Sequence, residues 1–142
     1  MIIKQLSVFL ENKTGRLNEV TQILGNAGIN MSAFSVADTS EFGILRMIVS
    51  EPEKALSILK DADFSVRLTD VICLNSPNEP GALARALNIL SGEEVFIEYL
   101  YAYSMDNKTA NIVLKPDNIQ KCIEVLQAHK LELVSASEMY KI

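Results

Sequence analysis

Two kinds of spacing between hydrophobic residues alternate along the chain, and their order is the same in its two halves. Apolar residues at every second position predict strands, and apolar residues at helical spacing predict helices. Gly28 is placed to end the first helix, and Asp38-Thr39-Ser40 has the composition of a turn. Pro52 suits the first position of the second helix. For the first half these patterns predict a strand, a helix, two strands, a helix and a strand, at residues 6–10, 17–27, 29–37, 44–49, 52–62 and 64–68.

The second half repeats this series. Gly92 lies near the predicted end of its first helix, and Met105-Asp106-Asn107 has the composition of a turn. Because no Pro- or Gly-rich linker separates the halves, we expect the last strand of the first half to run nearly straight into the first strand of the second. The predicted elements are again strand, helix, two strands, helix and strand, at residues 71–74, 83–90, 95–103, 110–114, 119–126 and 131–133.

This order of elements is typical of the ferredoxin-like sandwich, an α+β fold in which two helices cover one face of a four-stranded antiparallel sheet. The sequence therefore predicts two βαββαβ domains, residues 1–70 and residues 71–142, packed closely together. In this topology the second strand of each domain lies at a sheet edge, and exposed edges pair readily with other strands. We expect the two sheets to be paired edge to edge.

A short motif marks the start of the first helix in each half. Asn12-Lys13-Thr14-Gly15-Arg16-Leu17 recurs 66 residues later as Asn78-Glu79-Pro80-Gly81-Ala82-Leu83. Glycine lets another group approach the backbone closely, and the free N–H groups at a helix N-terminus attract carboxylates. Asn12 and Asn78 add an amide that can both donate and accept hydrogen bonds. The alternative interpretation is structural: the asparagine caps the helix and the glycine permits the turn.

The repeated motif resembles the first-loop signature of the ACT domain, in which Asp or Asn is followed by Pro-Gly and then by Leu. Asn26-Ala27-Gly28-Ile29-Asn30-Met31 is similar to that family's entry to its second strand. The resemblance covers essentially the whole chain, as two ACT units. It implies a βαββαβ fold, pairing of domains, and binding of amino acids or similar small ligands where the first loop of one domain faces the second-strand region of its partner.

Carried onto this chain, the resemblance implies two unequal interface sites. The second keeps the Pro-Gly loop and the strand-entry asparagine, and so matches the family better. The first has an aromatic residue where that asparagine is expected, and its glutamate could meet a ligand's ammonium group. The first site joins Asn12, Gly15, Arg16 and Leu17 to Phe96, Ile97 and Glu98, and the second joins Asn78, Pro80, Gly81, Ala82 and Leu83 to Asn30, Met31 and Ser32.

Charge and composition argue against several classes of partner. The chain has 142 residues, of which 49% are hydrophobic, and a net charge of −5. Without a basic block, neither a nucleic acid nor an anionic membrane is an expected partner. One face of a predicted strand carries Tyr99, Tyr101 and Tyr103. These side chains are interpreted either as an aromatic platform, as in RNA-binding sandwiches, or as residues that pack over the sheet. The negative charge favours packing.

The reactive residue types form no catalytic or metal-binding group in the sequence. Cys73 and Cys122 lack CxxC spacing, which fits free thiols in a reducing compartment, so we expect a cytoplasmic protein. His129, the only histidine, lies late in a predicted helix and is interpreted as a helix-end residue. We expect no catalytic residue, metal or cofactor, and no enzyme activity.

Together these observations predict a stand-alone regulatory protein that senses a free amino acid. Because no enzyme domain accompanies the two units, its output would pass through a partner protein or through a homodimer. The competing prediction is a protein-interaction module whose ligand sites are vestigial, and Phe96 in place of the strand-entry asparagine favours it.

Overall fold

The computed structural model describes residues 1–11, 13–38 and 42–141. The chain forms two units. The N-terminal unit comprises Lys4–Thr69 and Ser137–Ile142, and the C-terminal unit comprises Asp70–Ala136 and Met1–Ile3. Each unit therefore includes a short segment from the opposite end of the chain. The domain bounds 1–70 and 71–142 stay a prediction.

A four-stranded sheet with two helices forms the N-terminal unit. Its elements are β1 (Ile3–Glu11), α1 (Arg16–Asn26), β2 (Met31–Asp38), β3 (Phe42–Val49), α2 (Pro52–Asp61) and the first part of β4 (Ser65–Pro77). The strands lie in the order β2, β3, β1, β4, which is the order of the ferredoxin-like sandwich. The hydroxyl groups of Ser7 and Thr69, 3.0 Å apart, link β1 to β4.

Alternation along β1 places Leu6, Val8 and Leu10 on the same face of this sheet. Leu6 lies opposite Met47 and Val8 lies opposite Leu45, and all four side chains are fully buried. Removing apolar surface from water contributes about 25 cal/mol per Å², which holds the helices on the sheet. The helices contribute their own buried stripes, Val20 and Leu24 from α1 and Ala55 and Leu59 from α2.

The C-terminal unit repeats this arrangement. Its elements are the rest of β4, α3 (Ala82–Gly92), β5 (Ile97–Tyr103), β6 (Thr109–Pro116), α4 (Ile119–Ala128) and β7 (Glu132–Leu133). The strands lie in the order β7, β4, β6, β5, so each unit has the same topology. Its buried core is Ile72, Leu74, Ala86, Leu90, Val95, Ile112, Leu114, Cys122, Ile123 and Leu126.

The α+β fold predicted from the sequence is confirmed in both units. β4 is one continuous strand, as the missing linker indicates, and Pro52 is the first residue of α2. β2 and β5 are edge strands of their units, while the expected pairing of the two sheets stays a prediction. A short helix, α5 (Ala136–Tyr140), was not predicted. Its Tyr140 hydroxyl oxygen accepts a hydrogen bond from the N–H of Lys4 at 2.7 Å.

Of the two turns predicted between paired strands, one lies in the described part of the chain. At residues 105–107 the carboxylate of Asp106 accepts hydrogen bonds from the N–H groups of Lys108 and Thr109, at 2.8 Å and 2.9 Å. These two donors lower the pKa of Asp106 below its usual value. The turn predicted at residues 38–40 lies largely outside the described residues.

The three tyrosines of β5 point to the sheet face opposite the helices. Tyr101 lies opposite Val113, which is fully buried, and Tyr103 lies opposite Asn111. Each of the three side chains is partly buried. Burial is also the main cause that raises the pKa of Tyr103. Partial burial of all three rings is what packing over the sheet predicts.

Both cysteine thiols are buried, and we expect them to be unreactive in the folded protein. Burial raises the pKa of Cys73 to about 12 and that of Cys122 to about 11, from 9.0. Only thiolates react with iodoacetamide, so at pH 8 the Cys73 thiolate population is roughly a thousandfold below that of an ordinary thiol. Mass spectrometry should find no alkylation without denaturant and two adducts in urea. Rapid alkylation of the native protein would contradict this burial.

The same pKa shifts predict a direction for stability. Above pH 9 the thiols of the unfolded chain lose protons while the folded thiols keep theirs. The unfolded state then binds fewer protons than the folded state, so the cysteine contribution to stability declines as the pH rises beyond 9.

Candidate functional site

The two repeated loops have the same backbone conformation. Gly15 has φ 94° and ψ −11°, and Gly81 has φ 87° and ψ −9°. Both values lie in the left-handed region that glycine adopts without strain, which explains the residue type at both positions. The N–H groups of Glu19 and Arg85 then donate to the carbonyl oxygens of Gly15 and Gly81, at 2.9 Å and 3.0 Å. Each helix therefore begins directly after its glycine.

The N-terminus of α3 leaves backbone donors available for a ligand. Ala82 N–H donates to the carbonyl oxygen of Glu79 at 3.3 Å, whereas helix geometry gives the N–H groups of Leu83 and Ala84 no intrahelical acceptor. Pro80 and Gly81 are exposed to solvent at the same place. Two N–H groups that have no intrahelical acceptor, at the positive end of a helix dipole, suit a carboxylate.

The remaining residues of the second loop are fixed by contacts within the unit. Asn78 N–H donates to the carbonyl oxygen of Lys108 at 2.9 Å. Ala82 is buried and Leu83 packs on the core of the C-terminal unit. In the first loop Leu17 is 44% exposed, while Asn12 lies outside the described residues.

The strand-entry residues of the N-terminal unit differ in what they offer a ligand. Asn30 is exposed, and its N–H donates to the hydroxyl oxygen of Ser50 at 3.0 Å. The hydroxyl of Ser32 donates to the carbonyl oxygen of Ile48 at 3.1 Å, and Met31 packs against the core. The exposed polar side chain at this strand entry is therefore that of Asn30.

The equivalent residues of the C-terminal unit are more apolar. Phe96 is 57% exposed, and its N–H donates to the carboxylate of Asp117 at 3.1 Å. Ile97 packs against the core. Glu98 was expected to be able to meet a ligand's ammonium group, but it forms an ion pair with Lys115 at 3.2 Å. Its charge is therefore already balanced within the unit.

Strand register keeps each loop away from the strand entry of its own unit. In the N-terminal unit, Glu11 pairs with Phe42 at one end of β3, and Met31 pairs with Val49, seven residues further along β3. Seven residues of strand span roughly 23 Å. β6 separates Pro77 from Ile97 in the same way in the C-terminal unit. A ligand can therefore contact a loop and a strand entry together only if they belong to different units or molecules.

The first loop borders an open cavity of about 390 Å³ in the N-terminal unit. The cavity carries both signs of charge, because Lys13 and Arg16 line it together with Glu11. Arg16 forms ion pairs with Glu19 at 3.0 Å and with Glu11 at 3.8 Å. Leu10, Thr14, Leu17, Val36 and Gly43 complete the lining.

A smaller cavity, of about 220 Å³, lies in the C-terminal unit and was not predicted. Apolar residues dominate its lining, with Arg85 as the charged member. The sequence did carry a signal for it, because the repeat aligns Arg16 with Ala82, whose side chain is far smaller. The cavity is lined by Leu74, Asn75, Ser76, Pro77, Ala82, Arg85, Ala86, Ile89 and Leu131.

The described part of the chain contains no group of three His, Cys, Asp or Glu residues that could hold a metal ion. His129 lies directly after α4, where its Nδ1 is 2.9 Å from the carbonyl oxygen of Val125, in agreement with its interpretation as a helix-end residue. No helix among the described residues is long and apolar enough to cross a membrane.

Comparison with known proteins identifies the family. A family model described as an ACT domain pair matches residues 1–142, the whole chain. The chain belongs to this family. The crystal structure of protein BT0572 from Bacteroides thetaiotaomicron is 54% identical, with a TM-score of 0.95, over 100% of this chain and 98% of that one.

More distant solved structures share the fold. The regulatory subunits of aspartate kinase from Thermus thermophilus and Thermus flavus are 12% and 14% identical, with TM-scores of 0.65 and 0.61. Each match covers 89% of this chain, and 93% and 90% of the respective subunits. At such low identity the likeness concerns the fold alone. No curated protein matches this ACT domain pair.

Proposed function

We propose that this ACT domain pair is a non-catalytic regulatory protein that binds a free amino acid where the first loop of one ACT domain faces the second strand of another. The loop would supply Asn78, Pro80, Gly81, Ala82 and Leu83, and the strand entry would supply Asn30, Met31 and Ser32. The aspartate kinase chains with the same fold are regulatory subunits, which supports a regulatory role.

The single observation that carries the proposal is the loop at Gly81. Its left-handed glycine begins α3 at an exposed position and leaves the N–H groups of Leu83 and Ala84 without intrahelical acceptors. In the proposed complex the ligand's carboxylate accepts hydrogen bonds from these two groups. The exposed side chain of Asn30 provides a polar contact from the other domain.

Of the two implied sites, the one at Gly81 has the stronger support. The alternative site would join Gly15, Arg16 and Leu17 to Phe96, Ile97 and Glu98. There Glu98 is paired with Lys115, and Phe96 offers an aromatic ring where the other site offers an amide. These contacts favour the interpretation that the alternative site has lost the ability to bind a ligand.

A thermal-shift screen against the free amino acids tests the proposed function. A ligand present at 100 times its dissociation constant stabilises the folded state by about 2.7 kcal/mol, because it binds the folded chain and not the unfolded one. We expect one amino acid, or a small chemically related group, to raise the melting temperature in proportion to the logarithm of its concentration.

If no amino acid at millimolar concentration shifts the melting temperature, the proposal of an amino-acid sensor is wrong. That outcome would favour the second candidate, a protein-interaction module with vestigial ligand sites. One observation already supports an interaction surface: Leu17, Phe34 and Val36 of the N-terminal unit are 44%, 61% and 52% exposed. We propose that a second copy of the chain or a partner protein receives the signal, in the cytoplasm, where free thiols persist.

A further inference from the structure

The C-terminal cavity occupies a position that the N-terminal unit fills with its own side chains. Phe64 and Leu131 are structurally equivalent, because their N–H groups donate to the carbonyl oxygens of Leu59 and Leu126, both at 3.0 Å. The residues before them, Asp63 and Lys130, share a positive φ, 67° and 59°. Arg16 and Ala82 are equivalent as well, since each follows the left-handed glycine of its loop.

In the N-terminal unit an arginine lies over an aromatic ring at this position. The guanidinium carbon of Arg16 is 4.3 Å from the ring centroid of Phe64. The Arg16 side chain is only 18% exposed, and its charge is balanced by Glu11 and Glu19. The N-terminal unit thus holds a flat cationic group between apolar surface and two carboxylates.

In the C-terminal unit the residues equivalent to Arg16 and Phe64 are smaller, and one of the two carboxylates is replaced by a cation. Ala82 and Leu131 replace Arg16 and Phe64, and both line the cavity of about 220 Å³. By the 66-residue offset of the repeat, Pro77 replaces Glu11 and Arg85 replaces Glu19, and both also line the cavity. The site therefore lacks the two carboxylates and has a cation in the place of one of them.

We propose that this cavity is a binding site for a small aliphatic carboxylate. The apolar chain would lie against Ala86, Ile89 and Leu131, and the carboxylate would bind the guanidinium of Arg85 at the solvent side. Arg85 is 62% exposed and forms an ion pair with Glu79 at 2.9 Å. A guanidinium has five N–H donors, so it can bind a second carboxylate without releasing the first.

The size of the cavity limits the ligand. A volume of 220 Å³ corresponds to roughly seven water molecules at about 30 Å³ each, which indicates a ligand of about four to six carbons. Free branched-chain amino acids and their 2-oxo acids share this chemistry with simple branched acids. The lining belongs entirely to Asp70–Ala136, so the cavity needs no residue of another ACT domain, and it shares Ala82 with the proposed interface site.

Methyl NMR of the full chain tests the proposal with four probes that share an isobutyl tail: 4-methylpentanoate, leucine, 4-methyl-2-oxopentanoate and the neutral 4-methylpentan-1-ol. We expect saturable shifts of the Ala86, Ile89 and Leu131 methyl signals with at least one acid and weaker binding of the alcohol. The acid that binds most tightly shows whether the cavity takes an amino acid, a 2-oxo acid or a simple branched acid. Arg85→Gln should weaken the binding of that acid by about two- to fivefold, a modest effect because the guanidinium is largely exposed.

Filling the cavity provides the decisive variant. Ala82→Arg combined with Leu131→Phe copies the side chains of the N-terminal unit and should weaken binding by at least about tenfold. Leu131→Phe alone, a milder change, should weaken it in the same direction if the double variant does not fold. Ser91→Arg places the same charge at an exposed position of α3 that belongs to neither proposed site, and it should leave binding unchanged.

Three results would overturn the proposal: no acid shifts these methyl signals at millimolar concentration, the alcohol binds as tightly as the acids, or a folded cavity-filling variant binds like the wild type. Asn30→Ala separates this site from the interface site. It should leave binding in the cavity unchanged, whereas it should weaken binding at the proposed interface.

Discussion

Replacing Gly81 with valine is expected to abolish amino-acid binding at the proposed interface site. Gly81 has φ 87°, a conformation that a β-branched residue does not adopt without strain of about 1–3 kcal/mol. A Cβ at this position would also lie 3.2 Å from Nη1 of Arg85. The exposed Arg85 side chain can move away, so the backbone strain is the reason that we expect the loop to change shape and to move the N–H groups proposed to bind the carboxylate. A ligand with millimolar to micromolar affinity has only about 4–8 kcal/mol of binding free energy to lose.

Isothermal titration calorimetry with the amino acid found in the thermal screen measures this effect. Gly15→Val is the matched control, because Gly15 has nearly the same backbone conformation, with φ 94°, and a Cβ there meets no atom within 4 Å. We expect it to retain binding. Asn30→Ala should cost about 1–3 kcal/mol, the usual cost of leaving a polar partner unpaired. The choice of site is wrong if Gly15→Val abolishes binding while Gly81→Val and Asn30→Ala leave it intact.

The fold could be predicted because its signals are local. The alternation at Leu6 and Val8 and the helical spacing at Val20 and Leu24 follow from the geometry of strands and helices, and these residues form the observed core. The two loop glycines have positive φ, as their motif indicates. Because the two halves repeat the same series of elements, the prediction for one half supported the prediction for the other.

The features that sequence reasoning missed depend on contacts between distant residues. Helix α5 is short, and the contact of Tyr140 with Lys4 joins the two ends of the chain. The ion pair of Glu98 with Lys115 links neighbouring strands and changes what Glu98 can offer a ligand. Glu94 occupies the position of Gly28 with φ 59°, so a left-handed residue there does not require glycine. Neither the two contacts nor the conformation of Glu94 is marked by a local pattern in the sequence.

The cavity in the C-terminal unit also depends on contacts between residues that are distant in the sequence. The repeat alignment shows that Ala82 stands in the place of Arg16, but alignment alone does not say where an arginine side chain points. Only the structure shows that Arg16 turns towards Phe64 and fills the space that remains open beside Ala82. The sequence therefore contains the difference between Arg16 and Ala82, but the cavity that results from it follows only from the positions of the side chains.

The Arg16→Ala variant is expected to lose about 2–4 kcal/mol of unfolding free energy, a large effect for an arginine. The guanidinium contributes a cation–π contact with Phe64, worth about 1–2 kcal/mol when it is shielded from water. Its methylene stem covers apolar surface, so truncation leaves a void like the one in the C-terminal unit. Urea denaturation followed by circular dichroism measures the loss.

Two further variants separate the causes of that loss. Arg85→Ala is the matched control, because Arg85 also forms an ion pair at the start of a helix but is 62% exposed, and it should cost less than about 1 kcal/mol. Arg16→Met keeps the apolar stem without the charge. Arg16 Nε is buried and has no hydrogen-bond partner among the described residues, so removing the guanidinium also removes an unsatisfied donor. Arg16→Met should therefore cost less than Arg16→Ala. Equal losses for Arg16→Ala and Arg85→Ala would show that Arg16 does not fill a cavity in the folded protein.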